Sequence, residues 1–342
     1  MNLMKKVLLC MLGVLTLTPA VHTLSASAEG VDILTAMQTA TYHYEDDRGI
    51  VNLPYRYYFP SDYDANGDKT YPIVIFLHGA GERGTDNTSH VSINTDLFER
   101  LIARDDCIII APQCAANYRW VEHDWGLGSY TADEVASPML SAAMDLLKDM
   151  IKKEAVDPSR VYAMGLSMGA FGVWDMLIRE PGLFAAAIPS EGAGDPSKAE
   201  LLVDIPIRTF HGALDTAVPV TGTREMVAAI RAAGGEKIYY KEYPNEGHGC
   251  WYMVWKDPTT YRWLFSQVNR AMLPEEPEVS EEPVSSESSE PTSEPMPEPS
   301  EETDPEPASN GNLPLILGVC AAIVAVCAAA AGILLAKKKK KR

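Results

Sequence analysis

Two unbroken apolar runs, Ile73-Val74-Ile75-Phe76-Leu77 and Cys107-Ile108-Ile109-Ile110-Ala111, limit the folds open to this chain. A strand with one wet face alternates apolar and polar residues. A run without alternation is covered on both faces, as in a parallel sheet flanked by helices. Further short runs at 53–59, 160–165, 185–189, 205–211 and 237–242 extend the series, with helical patterns between them at 132–154, 168–179, 221–233 and 255–269. Asp157-Pro158 and Gly234-Gly235 read as helix ends. This alternation predicts an α/β fold with a mainly parallel central sheet and helices on both faces. Such a sheet binds its ligand at the carboxyl ends of its strands.

The pattern occupies residues 29–273 of the 342. Ahead of it, Lys5-Lys6, an apolar run over 7–17 and Ala26-Ser27-Ala28 have the order of a secretory signal peptide, residues 1–28. Behind it, residues 274–312 hold 13 of the 47 acidic residues and no Lys or Arg. So Pro-, Glu- and Ser-rich a segment buries too little apolar surface to offset its chain entropy, and is expected to be a disordered, extended linker. Residues 313–336 carry no charge and run into the basic tail 337–342, which predicts a transmembrane helix with a cytoplasmic end. The expected arrangement is a single-pass membrane protein whose folded domain lies outside the cell. The layout resembles Gram-positive bacterial surface proteins. Leu313-Pro314-Leu315-Ile316-Leu317 stands where their sorting motif carries Thr-Gly, so retention at the cell surface would rest on the helix itself.

Net charge is -18 overall, and the 29–273 region has 21 Lys and Arg against 34 Asp and Glu. Phosphate recognition needs clustered cations, so a nucleic-acid partner is not expected. Cys107, Cys114 and Cys250 have neither metal-ligand spacing nor the density of a disulfide scaffold. Cys114 and Cys250 fall in loops on one side of the sheet, where a bridge is open to them; buried thiols are the default. Asp62 to Asp68 imitates the start of a calcium loop, but the twelfth position is Ile73, and a turn is expected. No His-Glu-x-x-His, paired Cys-x-x-Cys or phosphate-cradling glycine loop occurs, so neither metal nor cofactor is expected.

The chemistry concentrates in Gly165-Leu166-Ser167-Met168-Gly169, which follows a strand pattern and opens a helix pattern. A sharp strand-to-helix turn lifts a serine hydroxyl above the sheet, and the glycines let the two elements approach. Such a hydroxyl needs a base, and the base an orienting acid. Asp215 follows the 205–211 strand and His248 the 237–242 strand, so both belong to loops converging on that edge. Glu191, after the 185–189 strand, is the competing acid. The N–H of Met168 and that of Ala80, in His78-Gly79-Ala80-Gly81, are placed to stabilise an oxyanion. His78 and His211 each precede a glycine at a strand end and read as loop-structuring residues. Trp120, Trp125, Trp251 and Tyr252 are candidates for pocket walls, though aromatics more often belong to the core.

Together with Glu82-Arg83-Gly84, Asp86-Asn87, Ala111-Pro112-Gln113-Cys114 and Gly247-His248-Gly249, these motifs resemble the α/β-hydrolase serine esterases over residues 40–270. The branch they look most like is the feruloyl-esterase and carboxylesterase/phospholipase-like group, some of whose members are labelled peptidases. The resemblance implies the α/β-hydrolase fold, Ser167 as nucleophile, Asp215 as acid, His248 as base and no cofactor. It does not fix the substrate: the expected activity is hydrolysis of a small-molecule or polysaccharide-linked carboxylic ester, with a serine exopeptidase of related fold or a non-catalytic surface binding protein on a hydrolase scaffold as the alternatives.

Overall fold

In the computed structural model, which describes residues 32–273, eight strands join into one sheet. They are β1 Gln38–Asp46, β2 Gly49–Tyr58, β3 Tyr71–Leu77, β4 Ile108–Pro112, β5 Val156–Leu166, β6 Ala186–Ser190, β7 Ile207–Gly212 and β8 Ile238–Tyr243. Their spatial order is β1-β2-β4-β3-β5-β6-β7-β8. The β1–β2 hairpin is antiparallel and joins β4 antiparallel, whereas every pairing from β4 to β8 is parallel. The helices are α1 Ile33–Ala36, α2 Ser89–Ser92, α3 Thr95–Arg104, α4 Pro138–Lys153, α5 Met168–Arg179, α6 Val220–Ala232, α7 Trp251–Lys256 and α8 Pro258–Leu264.

The apolar runs divide by parity between two cores. Ile73, Ile75 and Leu77 of β3 face one side with the buried residues of α4, α5 and α6. Val74 and Phe76 face the other, with α3, α7 and α8. All seven residues of β3 and all five of β4 are buried. Each such aliphatic or aromatic side chain contributes roughly 1.5–3 kcal/mol relative to exposure, and only a sheet covered on both faces collects it from successive residues.

Three elements depart from the sequence expectation. The helix expected over 132–154 begins at Pro138, where the Ser137 side chain caps it by accepting from the Leu140 N–H at 3.1 Å. The helix expected over 255–269 is two short helices, because Pro258 cannot donate to the preceding turn and Asp257 caps the second helix through Thr259 N–H. Asp157-Pro158 ends no helix; it lies in β5, where the register with β3 jumps from Tyr71/Val156 to Ile73/Val161, an irregularity that accommodates a proline. The structure adds β1, which has no buried residue, and α3, whose buried Leu97, Phe98, Leu101 and Ile102 keep helical spacing. Among the described residues no helix is long and apolar enough to cross a membrane. The signal peptide expected over 1–28, the linker over 274–312, the span over 313–336 and the tail over 337–342 lie outside the described residues.

The first turn of α5 packs on the end of β3 so closely that a Cβ on Gly169 would lie 2.0 Å from Leu77 O and 2.7 Å from His78 O. Backbone atoms on both sides leave no room to relax. Gly169→Ala should therefore destabilise the fold by about 4 kcal/mol or more, lowering Tm by roughly 10 °C. Gly182→Ala, where a Cβ meets nothing within 4 Å, is the control, and thermal melts of the two compare them. A Gly169→Ala Tm within a few degrees of wild type would refute the close-packing argument.

His90, in α2, is fully buried and donates from Nε2 to Ala111 O at 2.9 Å. Burial, with His78 nearby, pushes its imidazole down to about 3. A folded-state value below the unfolded one means that stability is complete above about pH 6.5 and falls as pH drops toward 3. The expected slope is about 1.4 kcal/mol per pH unit below 6.5. Melts between pH 7.5 and 5 should show it, with a shallower slope in His90→Gln; equal slopes would remove His90 as the cause.

Candidate active site

Ser167 joins β5 to α5 with φ 52° and ψ -124°, a left-handed conformation that a residue with a side chain adopts only under constraint. Its N–H donates to Ser190 O of the neighbouring strand at 2.9 Å, and its carbonyl accepts from Ala170 N–H at 2.8 Å. At Gly165 a Cβ would stand 2.6 Å from Gly169 O, so neither glycine of the motif can carry a side chain at this bend. The turn leaves the Ser167 hydroxyl at the carboxyl edge of the sheet.

The structure brings Ser167, Asp215 and His248 into one hydrogen-bonded chain. Asp215 lies just beyond β7, where its Oδ1 accepts from the N–H groups of Ala217 at 2.8 Å and Val218 at 2.9 Å. His248 lies beyond β8, with Nδ1 at 2.7 Å from Asp215 Oδ2 and Nε2 at 2.9 Å from Ser167 Oγ. A carboxylate only accepts, so Nδ1 carries the proton and Nε2 is left as the acceptor for the serine hydroxyl. Burial alone would raise the Asp215 carboxyl. Hydrogen bonds from His211, His248 and Val218 N–H outweigh it and hold the group well below the usual carboxylate range. The His248 and Trp251 rings pack edge to face, centroids 4.9 Å apart at 84°.

Ala80 and Met168 each open a helical turn at a strand end, after β3 and after β5. The loop carrying Ala80 lies against Ser167: a Cβ on Gly79 would come 3.6 Å from Ser167 Cβ. His78 braces that loop. Its Nε2 accepts from Cys114 N–H at 2.9 Å, so Nδ1 bears the proton and donates to Gly79 O at 2.6 Å. Its own carbonyl accepts from Trp120 Nε1 at 3.0 Å. Trp120 is thereby fully buried core rather than pocket wall, and Trp251 packs on His248. Trp125 is half-buried, with the Arg119 guanidinium 4.4 Å and the Arg83 guanidinium 5.7 Å from its ring centroid. Tyr252 is exposed.

Two residues touch the acid–base pair in ways the sequence did not announce. His211 structures its loop through Nδ1 to Thr223 Oγ at 2.7 Å, and its Nε2 also lies 3.2 Å from Asp215 Oδ2. Glu191, weighed from sequence as the competing acid, is not the partner of His248 at hydrogen-bond distance; its Oε2 is 3.8 Å from Nδ1. Both signals, an i,i+4 histidine–aspartate pair across a turn and an acid at a strand end, are too common in sequence to be read without the topology. Cys107, Cys114 and Cys250 are free and buried, so the bridge open to Cys114 and Cys250 is not formed; burial pushes the Cys114 thiol up to about 12.

Residues 64–260 match the model of the phospholipase/carboxylesterase family. Among solved structures, a thermostable esterase is 33% identical with a TM-score of 0.60, the match covering 69% of this chain and 64% of that one. This chain thus spans somewhat less than two thirds of that esterase's length. A Bacteroides ovatus protein assigned as a dipeptidyl aminopeptidase IV is 12% identical over 68% of this chain and 36% of its own, with a TM-score of 0.50, and shares the fold alone. No curated protein sequence matches the chain. The family model covers more than half of the sequence and the eight-stranded sheet is mainly parallel, so the chain belongs to the phospholipase/carboxylesterase family and has the α/β-hydrolase fold.

Proposed function

We propose that this chain is a serine hydrolase of carboxylic esters, acting through an acyl-enzyme. The observation that carries the reading is the unbroken path from Asp215 Oδ2 through both ring nitrogens of His248 to Ser167 Oγ, at 2.7 and 2.9 Å. In the proposed reaction Ser167 Oγ attacks the ester carbonyl while His248 Nε2 takes its proton. Asp215 holds the imidazole in the δ-protonated tautomer and stabilises the imidazolium. The N–H groups of Met168 and Ala80 would receive the developing oxyanion. His248 then protonates the leaving alcohol, and water, deprotonated by the same imidazole, hydrolyses the acyl-enzyme.

Short acyl, aryl or carbohydrate-linked esters are the proposed substrates. Val121, Tyr130, Phe171, Ala193 and Val218 form a small apolar cluster, with Phe171 one turn beyond the nucleophile and Val218 three residues beyond Asp215. In the proposed reaction this cluster would border the acyl group, and an apolar border suits an acyl or aryl group better than a charged one. The sequence of residues 1–28 and 313–342 supports placing this activity outside the cell, tethered to the membrane.

Ser167→Ala should abolish fluorophosphonate labelling and lower kcat on p-nitrophenyl acetate by roughly four to six orders of magnitude, with Tm unchanged. His248→Ala should match it, and Asp215→Asn should be milder by about one to two orders. Wild-type turnover in Ser167→Ala would sink the assignment. Esters should also outrun the corresponding aminoacyl-anilides in kcat/KM, since an alkoxide leaves more readily than an amine; parity would favour a peptidase.

Deleting residues 274–342 should leave Tm and kcat/KM nearly unchanged and move the activity from the membrane fraction to the medium. The acidic linker has little apolar surface to dock with, and shares its sign of charge with the 29–273 region. Aggregation or loss of most activity in the shortened protein would show that the boundary at 273 is misplaced.

A further inference from the structure

Glu191 is the first residue after β6 and is fully buried, yet no cationic side chain other than the His248 imidazole lies within salt-bridge distance of it among the described residues. Its carboxylate faces backbone donors instead. Oε2 accepts from Gly249 N–H at 2.6 Å, while Oε1 accepts from Cys250 N–H at 3.0 Å and Gly212 N–H at 3.3 Å. Three donors and no acceptor form the setting of a carboxylate anion, not of a carboxylic acid. Gly249 and Cys250 directly follow His248, and Gly212 ends the strand that precedes Asp215. The residue stands at φ 55°, one of four non-glycine residues with positive φ among those described, Ser167 being another. That conformation directs the side chain beneath the histidine loop, and Oε2 comes 3.8 Å from His248 Nδ1.

We propose that Glu191 is a positioning residue for the base: it staples the His248 loop to the sheet and sets a second negative charge beside the imidazole. The proposal rests on the serine-hydrolase reading above. When His248 takes the serine proton, Asp215 is in contact with the imidazolium Nδ1 and Glu191 stands 3.8 Å from the same nitrogen. A staple alone needs only acceptors, one of which an amide oxygen also supplies. A full charge so close to Nδ1 in a covered site does more, because it favours the protonated ring electrostatically. The other ionisable groups around the ring are His211, on the far side of Asp215 Oδ2, and Glu246 and Cys250 on its own loop.

The decisive experiment is the pH dependence of kcat/KM on p-nitrophenyl acetate for the full chain and for Glu191→Gln, which keeps size and an acceptor but removes the charge. The expected result is a kcat/KM about 10- to 100-fold lower, mainly in kcat, with the acid limb displaced to lower pH by about half a unit to one unit. The displacement is downward because losing a neighbouring anion makes the imidazole easier to deprotonate. Glu191→Asp, which keeps the charge on a shorter stem, should return the limb toward its wild-type position even where activity is reduced. A limb that stays in place in Glu191→Gln, whatever the loss of activity or Tm, would reduce Glu191 to a structural brace and overturn the proposal. If Glu191→Gln does not fold, NMR titration of the His248 ring in wild type against Glu191→Ala decides instead. A lower midpoint in Glu191→Ala supports the charge and equal midpoints refute it. Fluorophosphonate labelling of wild type at Ser167 separates the two levels. Without labelling the hydrolase reading itself fails, whereas labelling with an unmoved limb removes only Glu191.

Discussion

The contact between the first turn of α5 and the end of β3 is the constraint on which the carboxyl edge of this molecule depends. Gly169 allows the helix to start against the carbonyls of Leu77 and His78, and Gly165 allows the strand to reach the bend. With the helix start fixed there, Ser167 has no conformation available except the left-handed one that lifts its hydroxyl from the sheet. The cost of such a conformation, roughly 1–3 kcal/mol, is small beside the burial of β3 and β4 on both faces. A neighbouring carbonyl, Ser190 O, also holds the strained residue by its N–H. Backbone packing two residues to either side of Ser167 thus decides where its hydroxyl points.

Legibility followed burial. Runs covered on both faces, such as 73–77 and 108–111, declare themselves because nothing polar interrupts them. The hairpin strand β1 was not announced, because its residues are exposed or half-exposed throughout. Helix boundaries were misplaced wherever apolar content outran helix geometry: Val135 and Ala136 precede the Ser137 cap, and Pro258 divides a stretch whose apolar spacing reads as continuous. The residues of the candidate triad were legible because each follows a readable strand, so chain order alone gathers them on one edge. The contacts of Glu191 and His211 with them were not. That Glu191 reaches the amides after His248, and His211 the carboxylate of Asp215, depends on loop paths that no spacing in the sequence encodes.

The same three loops also share polar atoms economically. Asp215 spends Oδ1 on its own turn and Oδ2 on two imidazoles, while Glu191 spends both oxygens on backbone amides. The Thr223 hydroxyl, which meets His211 Nδ1, donates to Gly192 O at 2.5 Å and so returns the path to the end of β6. Loops after β6, β7 and β8 are closed into one hydrogen-bonded ring.

The two strained residues Ser167 and Glu191 terminate adjacent strands whose ladder pairs Leu166 with Ser190. Each is the residue immediately beyond that last rung. Their separation is therefore counted in rungs, not adjusted by side-chain rotamers. A slip of one residue between β5 and β6 would reverse the face each side chain takes. The spacing of Ser167 and Glu191 is in this sense a digital quantity, protected from small elastic distortions and exposed only to insertions or deletions within β5 and β6.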